Sequence, residues 1–365
     1  MQNPNIINFS VNSNKLLSNL KAFNNLGNIY YPLKPNGDVE ILNELIRMSK
    51  ENDINLGFLV TNISHLDRLL KIGVETSNIG TINVLLDDSD IKYFYDQGVR
   101  YFTFHNLNQI ANFSKYADLK SAKINVRLSI VEPFGSFSHL GASTEECKQM
   151  LTLLKSLGCI DYGISFYLQK EIIKTPNSLE FMLDYIVDNF QGFEMSFINI
   201  GGAKKPEEID KIKLDQTRET LGVKNHILEP ARYLVGNAID METRIIETKQ
   251  INNKPCIIIK NGIYAGLVDV LLYQKQFEYK LKTNDGLITL ESSANNTANY
   301  EFSMCGGSSD SGDRLGTYYI DEKYKELLKP GTTLIIPNAG CYVSEFFMPL
   351  GGDLTKQYKF YESEE

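Results

Sequence analysis

Residues able to carry out amine, acid or phosphate chemistry stand at the ends of strand-like runs. In NIYYPLKPNGD, residues 28–38, a strand-like stretch ends at Lys34, directly before a Pro-Asn-Gly turn. A lysine that loses solvent has a lowered pKa, and its neutral amine can form a Schiff base with a carbonyl group. An ordinary surface lysine is the alternative. We expect Lys34 to lose solvent and to act as a nucleophilic amine.

Other strand-like runs also end in candidate residues. INIGGAKKPEE carries Gly201 and Gly202 where a helix begins, and their backbone N–H groups offer a phosphate cradle, although glycine pairs are often only steric. ILEPARY places Glu229 three residues before Arg232. This is either a local ion pair or an acid for a ring nitrogen beside an arginine for a phosphate. Later turn-rich runs carry Asp310 and Tyr342, and either run is compatible with an ordinary hairpin turn.

Eight strand-like runs alternate with helical runs in the first part of the chain. They are residues 28–34, 56–60, 78–84, 100–105, 123–130, 162–168, 194–200 and 226–231. Between them, apolar residues recur at the spacing of three and four that is typical of helices, often after Ser, Thr, Asp or Asn. Eight such units predict a (β/α)8 TIM-type barrel, with a doubly wound open sheet as the alternative. In such barrels the working residues lie at the carboxyl ends of the strands.

From about residue 238 the pattern changes to strands alone. The runs are METRIIETK, KPCIIIK, YAGLVDVLLY, GLITLES, NYEFSMC and GTTLIIP. We therefore predict a barrel domain over residues 25–237 and an all-β domain over 238–365. Residues 1–24 contain IINFSVN, which is expected to join the β domain. The tail TKQYKFYESEE is expected to be a solvated end.

Composition limits the function classes. The chain has 365 residues, 42% of them hydrophobic, and a formal net charge of -8 without a basic face, so nucleic acid is not an expected partner. No apolar run has transmembrane length and no signal peptide is evident, so no membrane partner and a cytoplasmic location are expected. The five cysteines lack C-x-x-C spacing and the four histidines are scattered, so we predict neither disulfides nor a metal site.

Taken together, these segments resemble the fold-type III pyridoxal phosphate (PLP) decarboxylases. These are the ornithine, arginine and diaminopimelate decarboxylases with an alanine-racemase-like barrel, and the resemblance runs over nearly the whole chain. The family's Y-x-V-K-x-N stretch is similar to Tyr31-Pro32-Leu33-Lys34-Pro35-Asn36. The resemblance implies PLP as cofactor and Lys34 as its Schiff-base lysine.

Four further segments match the family in order. Ile200-Gly201-Gly202-Ala203 resembles its phosphate turn, one glycine short. Glu229-Pro230-Ala231-Arg232-Tyr233 resembles E-P-G-R-Y, which implies Glu229 at the pyridinium nitrogen and Arg232 near the phosphate. Gly340-Cys341-Tyr342 resembles G-A-Y, which implies a phosphate contact for Tyr342. Arg127 matches an arginine of the family's pocket.

Three departures concern substrate and chemistry. In the family's C-E/D-S-x-D motif the acid is kept as Asp310, but Ser309 replaces the cysteine that helps direct protonation, and Cys305 substitutes only if the loop bulges. Tyr167 stands where the family stacks a histidine on the ring. Gln274 follows Val270-Leu271-Leu272-Tyr273, where ornithine decarboxylases have an aspartate after a β-domain strand.

The resemblance implies a PLP-dependent decarboxylase of an L-amino acid. The substrate is expected to be a basic or diamino acid, or a conjugate of one in siderophore or peptide-antibiotic biosynthesis, with Asp310 and Gln274 facing it. The enzyme is expected to be a homodimer with shared active sites, in which Asp310 and Ser309 reach the neighbouring subunit. An amino-acid racemase is an alternative, which Glu229 disfavours. Another alternative is a catalytically inactive homologue that binds a regulatory partner, as antizyme inhibitors resemble ornithine decarboxylase.

Overall fold

Eight parallel strands close a barrel in the first two thirds of the chain. The structure is a computed structural model that describes residues 5–202, 204–350 and 353–363. After strand β1 (Ile6–Asn12), the barrel strands are β2 (Asn28–Pro32), β3 (Leu56–Val60), β4 (Ile79–Thr81), β5 (Tyr101–Phe104), β6 (Lys123–Arg127), β7 (Asp161–Ser165), β8 (Phe197–Asn199) and β9 (Asn225–Leu228). They pair in chain order, and Asn28 of β2 pairs with Ile227 of β9. This closure confirms the predicted barrel and excludes the open sheet.

Amphipathic helices connect these strands. They are α1 (Ser13–Asn24), α2 (Val39–Glu51), α3 (Ile63–Lys71), α4 (Asp88–Asp96), α5 (Leu107–Phe113), α6 (Val131–Phe134), α7 (Thr144–Ser156), α8 (Lys170–Ile173), α9 (Ser178–Phe190), α10 (Lys211–Leu221) and α11 (Ala231–Val235). Asn62, Asn106, Ser143 and Asp210 begin four of them by accepting N–H groups of the first turn. Within the described ranges, no helix has both the length and the apolar character needed to cross a membrane.

Most barrel strands are buried on both faces. All residues of β3, β4, β5 and β8 are buried, which explains their apolar, non-alternating sequences. The strands are shorter than the apolar runs that predicted them: residues 123–130 predict one strand, but β6 ends at Arg127. Residues beyond the last ladder bond lie in the loops that lead to the next helix, where barrels of this type carry their functional side chains.

The C-terminal part forms a nine-stranded mixed sheet, which confirms the predicted β domain. Its strands after β1 are β10 (Ile239–Ile251), β11 (Lys254–Ile259), β12 (Tyr279–Thr283), β13 (Gly286–Leu290), β14 (Tyr300–Gly306), β15 (Arg314–Ile320), β16 (Thr333–Ile336) and β17 (Thr355–Tyr361). The main order is β13-β12-β16-β10-β11-β14-β15. Strand β1 pairs antiparallel with β10 and parallel with β17.

Two predictions for this part of the chain are wrong. The run YAGLVDVLLY was predicted to be a strand, but its second half is helix α12 (Asp269–Tyr273). Leu271 and Leu272 are consecutive and both exposed, which a half-buried strand with period two does not allow. The tail was expected to be a solvated end, whereas β17 forms seven residue pairs with β1.

The chain divides into two compact units. The barrel unit comprises Asn19–Leu33 and Ile41–Tyr233. The sheet unit comprises the chain up to Ser18, the segment Lys34–Glu40 and the chain from Leu234 onward. The segment that carries Lys34 therefore clusters with the sheet unit, although it follows a barrel strand in sequence.

A buried histidine gives the barrel a specific acid sensitivity. His226 on β9 is 4% exposed, and burial, assisted by the charge of Arg218, lowers its pKa to about 4. A lowered histidine pKa contributes stability that is complete above the usual value of 6.5 and is lost as pH falls through 4. Between pH 7 and pH 4, we expect the unfolding free energy of the parent protein to fall by about 3 kcal/mol more than that of His226→Leu. Urea unfolding at both pH values measures this difference.

The control is His139→Leu, which removes an exposed loop histidine and should leave the pH dependence unchanged. Equal acid sensitivity of the parent protein and His226→Leu would show that other groups dominate acid unfolding.

Candidate active site

Glu229 directly follows β9 in the barrel unit and is partly buried. Its Oε1 accepts a hydrogen bond from Asn199 Nδ2 at 2.7 Å, and its backbone N–H donates to the carbonyl of Gly201 at 2.9 Å. Burial raises the pKa of Glu229, while the Asn199 hydrogen bond and the charge of Arg127 oppose this rise. The other oxygen, Oε2, has no hydrogen-bond partner among the described residues. The side chain is only partly covered, so this oxygen remains available to a ligand.

Arg127 ends β6, and its positive charge acts to lower the pKa of Glu229. Burial lowers the pKa of Arg127, and the Glu229 carboxylate and the Tyr167 hydroxyl act in the opposite direction. The guanidinium nevertheless stays protonated, as arginine does in proteins. Tyr167 follows β7 and is 43% exposed, so part of its aromatic side chain faces solvent. The structure thus places three predicted residues close enough to interact electrostatically: Arg127 interacts with both Glu229 and Tyr167.

The glycine turn after β8 packs directly against the Glu229 segment. Gly201 adopts a φ of 70°, and its N–H donates to Asn199 Oδ1 at 2.9 Å. A Cβ built at Gly202 would lie 1.7 Å from the carbonyl oxygen of Glu229, so no side chain fits there. The third residue of the predicted phosphate turn, Ala203, lies outside the described residues. Arg232 lies in the first turn of α11, three residues beyond Glu229.

Lys34 belongs to the sheet unit, and its side chain is exposed. The expectation that Lys34 loses solvent is therefore wrong for this chain, because β2 ends at Pro32 and Lys34 lies in the loop beyond it. The loop itself is buried and well anchored: Asn36 Nδ2 donates to the Gly340 carbonyl at 3.0 Å and the Gly37 N–H donates to Ser344 Oγ at 2.8 Å. The backbone is fixed while the amine stays accessible.

Tyr342 lies on the loop that anchors the Lys34 segment. Its backbone N–H donates to the Pro35 carbonyl, and its own φ is 60°, in the left-handed region. Tyr342 is 8% exposed, and its ring packs edge-on against Phe346 with centroids 5.4 Å apart. The structure therefore brings the Lys34 loop and Tyr342 together, as the predicted site requires.

Asp38 fastens the same segment to the last strand. Lys356 Nζ on β17 donates to both carboxylate oxygens of Asp38 at 2.5 Å, and the Tyr358 hydroxyl donates to Oδ2 at 2.5 Å. Both charged side chains are less than 20% exposed, at 15% for Asp38 and 19% for Lys356. Sequence reasoning missed this cluster because Lys356 and Tyr358 lie in the tail that was expected to be solvated.

Asp310 and Ser309 lie on an exposed loop of the sheet unit. The Tyr264 hydroxyl and the Gly312 N–H both donate to the Asp310 carboxylate, and they lower the pKa of Asp310. The ladder of β14 does shift register at Cys305, but the Cys305 thiol lies 3.8 Å from the Cys256 sulfur. Asp310 is thus an ionised, solvent-facing carboxylate, and sequence reasoning missed its partner Tyr264.

Gln274 is not on a strand, in contrast to the predicted alignment. It ends α12 with a φ of 51°, and its side chain is exposed. The left-handed conformation follows from its place at the helix C-terminus, where the chain reverses. Its predicted contact with a substrate therefore stays a prediction.

Replacing Glu229 by glutamine should stabilise the cofactor-free protein at neutral pH. A raised glutamate pKa means that folding disfavours the ionised form, so stability is lost as pH rises from the usual value of 4.5 through the folded value. Glu229→Gln should therefore have a larger unfolding free energy than the parent at pH 7.5, and the difference should shrink toward pH 4.5. Urea unfolding at both pH values measures it.

The matched control is Glu171→Gln, which neutralises an exposed carboxylate of the barrel unit. A Glu229→Gln protein that is less stable than the parent at pH 7.5 would show that the attraction to Arg127 outweighs burial.

The barrel residues fit a pyridoxal phosphate. Its ring nitrogen needs a carboxylate, and Glu229 offers an oxygen without a protein partner. Its phosphate needs backbone N–H groups that it can approach closely, and the glycine turn after β8 would offer them. Packing against the Glu229 carbonyl oxygen requires glycine at position 202 of this turn. In this cofactor one ring atom separates the nitrogen from the carbon that bears the phosphate arm. The two anchors must therefore be neighbours, as the adjacent strands β8 and β9 make them.

Comparisons with known proteins agree with this fit. The family signature described as "Pyridoxal-dependent decarboxylase, pyridoxal binding domain" matches residues 13–235. Lysine/ornithine decarboxylase of Selenomonas ruminantium is 24% identical over 254 residues, which are 65% of this chain and 63% of that protein. Antizyme inhibitor 2 of Xenopus laevis is 24% identical over 248 residues, or 61% and 51% of the two chains. The matched region thus covers less than two thirds of either relative.

Solved structures share the fold over the whole chain. Arginine decarboxylase of Paramecium bursaria Chlorella virus superposes with a TM-score of 0.78 over 97% of this chain and 96% of that one, at 16% identity. Lysine decarboxylase of Selenomonas ruminantium superposes with a TM-score of 0.76 over 98% and 93%, at 20% identity. The architecture of a barrel followed by a β domain is therefore one these proteins share.

Proposed function

This chain belongs to the pyridoxal-dependent decarboxylase family, and we propose that it decarboxylates a basic or diamino L-amino acid, or a conjugate of one, with PLP as cofactor. Conjugates of this kind occur in siderophore and peptide-antibiotic assembly. The observation that carries the proposal is the Glu229 carboxylate, which keeps an oxygen without a protein partner beside the Gly201-Gly202 turn and Arg127.

The residues of this chain have separate tasks toward the cofactor. When bound, PLP supplies the electron sink that allows carbon dioxide to leave the α-carbon of an amino acid. Glu229 would hold the ring nitrogen by accepting its proton in a hydrogen bond. Gly201, Gly202 and Arg232 would bind the phosphate, together with Tyr342. Lys34 would hold the cofactor through its exposed amine.

Arg127 and Tyr167 would orient the ring. The Arg127 guanidinium balances the charge of Glu229, which favours the ionised carboxylate that the ring nitrogen requires. Tyr167 carries an exposed ring at the end of β7, where it would stack on one face of the cofactor.

Asp310 would select the substrate by its charge. Its carboxylate is exposed and is kept ionised by Tyr264 and Gly312, so it suits a distal ammonium or guanidinium group. Ser309 beside it is also exposed and would act as the proton donor. A polar loop that faces solvent in one chain is consistent with a site completed by a second copy, and we propose a homodimer with shared active sites. Gln274, a neutral group, would suit a substrate whose distal amine is conjugated.

A screen for carbon dioxide release tests the proposal. The purified protein with added PLP is supplied with lysine, ornithine, arginine, diaminopimelate, their citryl and peptidyl conjugates, and leucine as a substrate without a distal charge. Release is expected from at least one basic substrate and not from leucine. Asp310→Asn should raise the KM for that substrate by about 10- to 100-fold, because a hydrogen bond to a charged group contributes about 1.5–3 kcal/mol.

Asp285→Asn is the matched control, because Asp285 is an exposed carboxylate on a turn of the same unit. Loss of the configuration at the substrate α-carbon without carbon dioxide release would identify a racemase instead.

A regulatory binding protein is the second candidate. Antizyme inhibitor 2 is among the relatives, and Ser309 and Tyr167 depart from the decarboxylase pattern. A protein of this class would release no carbon dioxide from any substrate in the screen and would not hold PLP covalently.

A further inference from the structure

Asn199 lies between two predicted anchors of the cofactor. It is the last residue of β8 and is 0% exposed. Its Nδ2 donates to Glu229 Oε1 at 2.7 Å and to the Tyr101 hydroxyl at 3.1 Å, and its Oδ1 accepts the Gly201 N–H at 2.9 Å. Both amide protons and the carbonyl oxygen are therefore committed.

The hydrogen bond from Gly201 fixes which way the amide points. A backbone N–H can only donate, so the atom that faces it must be the oxygen Oδ1. The NH2 group must then face Glu229 and Tyr101, and Glu229 Oε1 must accept. Any proton that Glu229 shares with a ligand is consequently confined to Oε2, the oxygen without a partner among the described residues.

The groups around this amide leave it little freedom. Tyr101 is buried, and its ring packs edge-on against Tyr30 at 5.1 Å and Phe197 at 6.0 Å, with Lys123 Nζ 5.3 Å from its centroid. Arg127 is the cation that acts on Glu229, and the buried Tyr101 hydroxyl is the other titratable group beside it. Tyr101 cannot move readily, and its hydroxyl is hydrogen-bonded to the Asn199 amide. The amide therefore holds the Glu229 carboxylate in a fixed position.

We propose that Asn199 is a positioning residue of the cofactor site, whose amide locks the Glu229 carboxylate and the Gly201-Gly202 turn in one fixed relation and reserves Glu229 Oε2 for the ring nitrogen. This inference rests on the proposed function for its ligand, but the hydrogen-bond relation between Asn199 and Glu229 exists in the protein alone. It can therefore be tested without turnover.

The decisive variant is Asn199→Asp, which keeps the shape of the side chain. It replaces the NH2 group, which donates hydrogen bonds, by a carboxylate oxygen, which accepts them. Two acceptors then face each other in a buried place, so one carboxyl must retain a proton at pH 7. Infrared spectroscopy of the full-length, cofactor-free protein should show a new band of a protonated carboxyl group. Adding Glu229→Gln restores a donor opposite an acceptor, and the double variant should lose the band.

The cofactor gives a second readout. Asn199→Asp should weaken PLP binding by about 10- to 100-fold, because the Glu229 carboxylate loses the hydrogen-bond donor that holds it. Asn125→Asp is the matched control: Asn125 is also buried in the barrel, on β6, and donates to Thr103 rather than to Glu229. This control should bind PLP as the parent does.

Each outcome of the infrared experiment either supports or overturns the inference. A new carboxyl band in Asn199→Asp that the double variant lacks supports the inference, even if the protein proves not to be a decarboxylase. No band, or a band that persists in the double variant, would overturn it. If Asn199→Asp does not fold, Asn199→Ala carries the test: the protonated fraction of Glu229 at pH 7 should rise, and an unchanged fraction counts against the proposal.

Discussion

Lys34→Ala should abolish covalent retention of PLP and lower the rate of carbon dioxide release by about 10²- to 10⁴-fold, the range that a positioned proton-transfer group contributes. The physical reason is the combination of an exposed amine and a fixed backbone. The amine is accessible, whereas Asn36 and Gly37 tie the loop to Gly340 and Ser344 by side-chain and backbone hydrogen bonds. Initial rates at saturating PLP and substrate measure the loss.

Lys115→Ala is the control, since Lys115 is an exposed lysine of the barrel unit whose partner is Asn112. It should retain parental rates. Parental activity in Lys34→Ala would remove Lys34 from the chemistry and assign the lysine of the family pattern to a surface role.

Gly202→Ala should have the second large effect, on both stability and cofactor binding. A Cβ at this position would lie 1.7 Å from the Glu229 carbonyl oxygen, and that oxygen belongs to the backbone, which cannot rotate away. Either the glycine turn or the Glu229 segment must shift. We expect a loss of about 1–3 kcal/mol in unfolding free energy, as is typical of overpacking, and PLP binding weakened more than about tenfold.

Gly73→Ala separates this clash from the general effect of losing a glycine. Gly73 has a φ of 79° and no atom near its Cβ position, so alanine there meets only backbone strain. It should lose about 1–2 kcal/mol and bind PLP normally. If Gly202→Ala matches this control in both measurements, the turn is not a cofactor cradle.

The barrel could be predicted from sequence because each strand is locally distinct. The run LGFLV is continuously apolar, and RYFTFH contains three aromatic residues. Helices with polar caps separate such runs, so the order of runs along the chain identified all eight strands. The β domain was harder because pairing partners far apart in sequence stabilise its strands. Strand β12, with sequence YKLKT, alternates buried and exposed residues, but its two lysines hid the pattern.

The C-terminal tail also forms a strand that its own sequence did not predict. TKQYKFY contains few apolar residues and becomes a strand only because β1, more than 340 positions earlier, offers a parallel partner. Asn199 shows what the sequence could have revealed. A polar residue inside the apolar run SFINI is costly to bury without hydrogen bonds, and this alone marks it as a residue with fixed partners.

For Lys34 the physical premise of the prediction is wrong, and the role in cofactor binding stays a prediction. The lysine was expected to lose solvent at a barrel mouth, but the strand ends two residues earlier and the side chain is exposed. The backbone around it is what the structure fixes, through Gly340 and Ser344. No sequence pattern announces such contacts between loops that lie 300 residues apart in the chain.

Borohydride reduction of the PLP-loaded protein, followed by peptide mass mapping, tests the central claim most directly. Reduction fixes the cofactor to whichever amine holds it. The mass of a pyridoxyl phosphate group on the peptide that contains Lys34, and its absence from the Lys34→Ala protein, is the predicted result. A modified peptide that contains a different lysine would contradict the role of Lys34. No modified peptide after incubation with PLP would contradict both the role of Lys34 and the proposed decarboxylase.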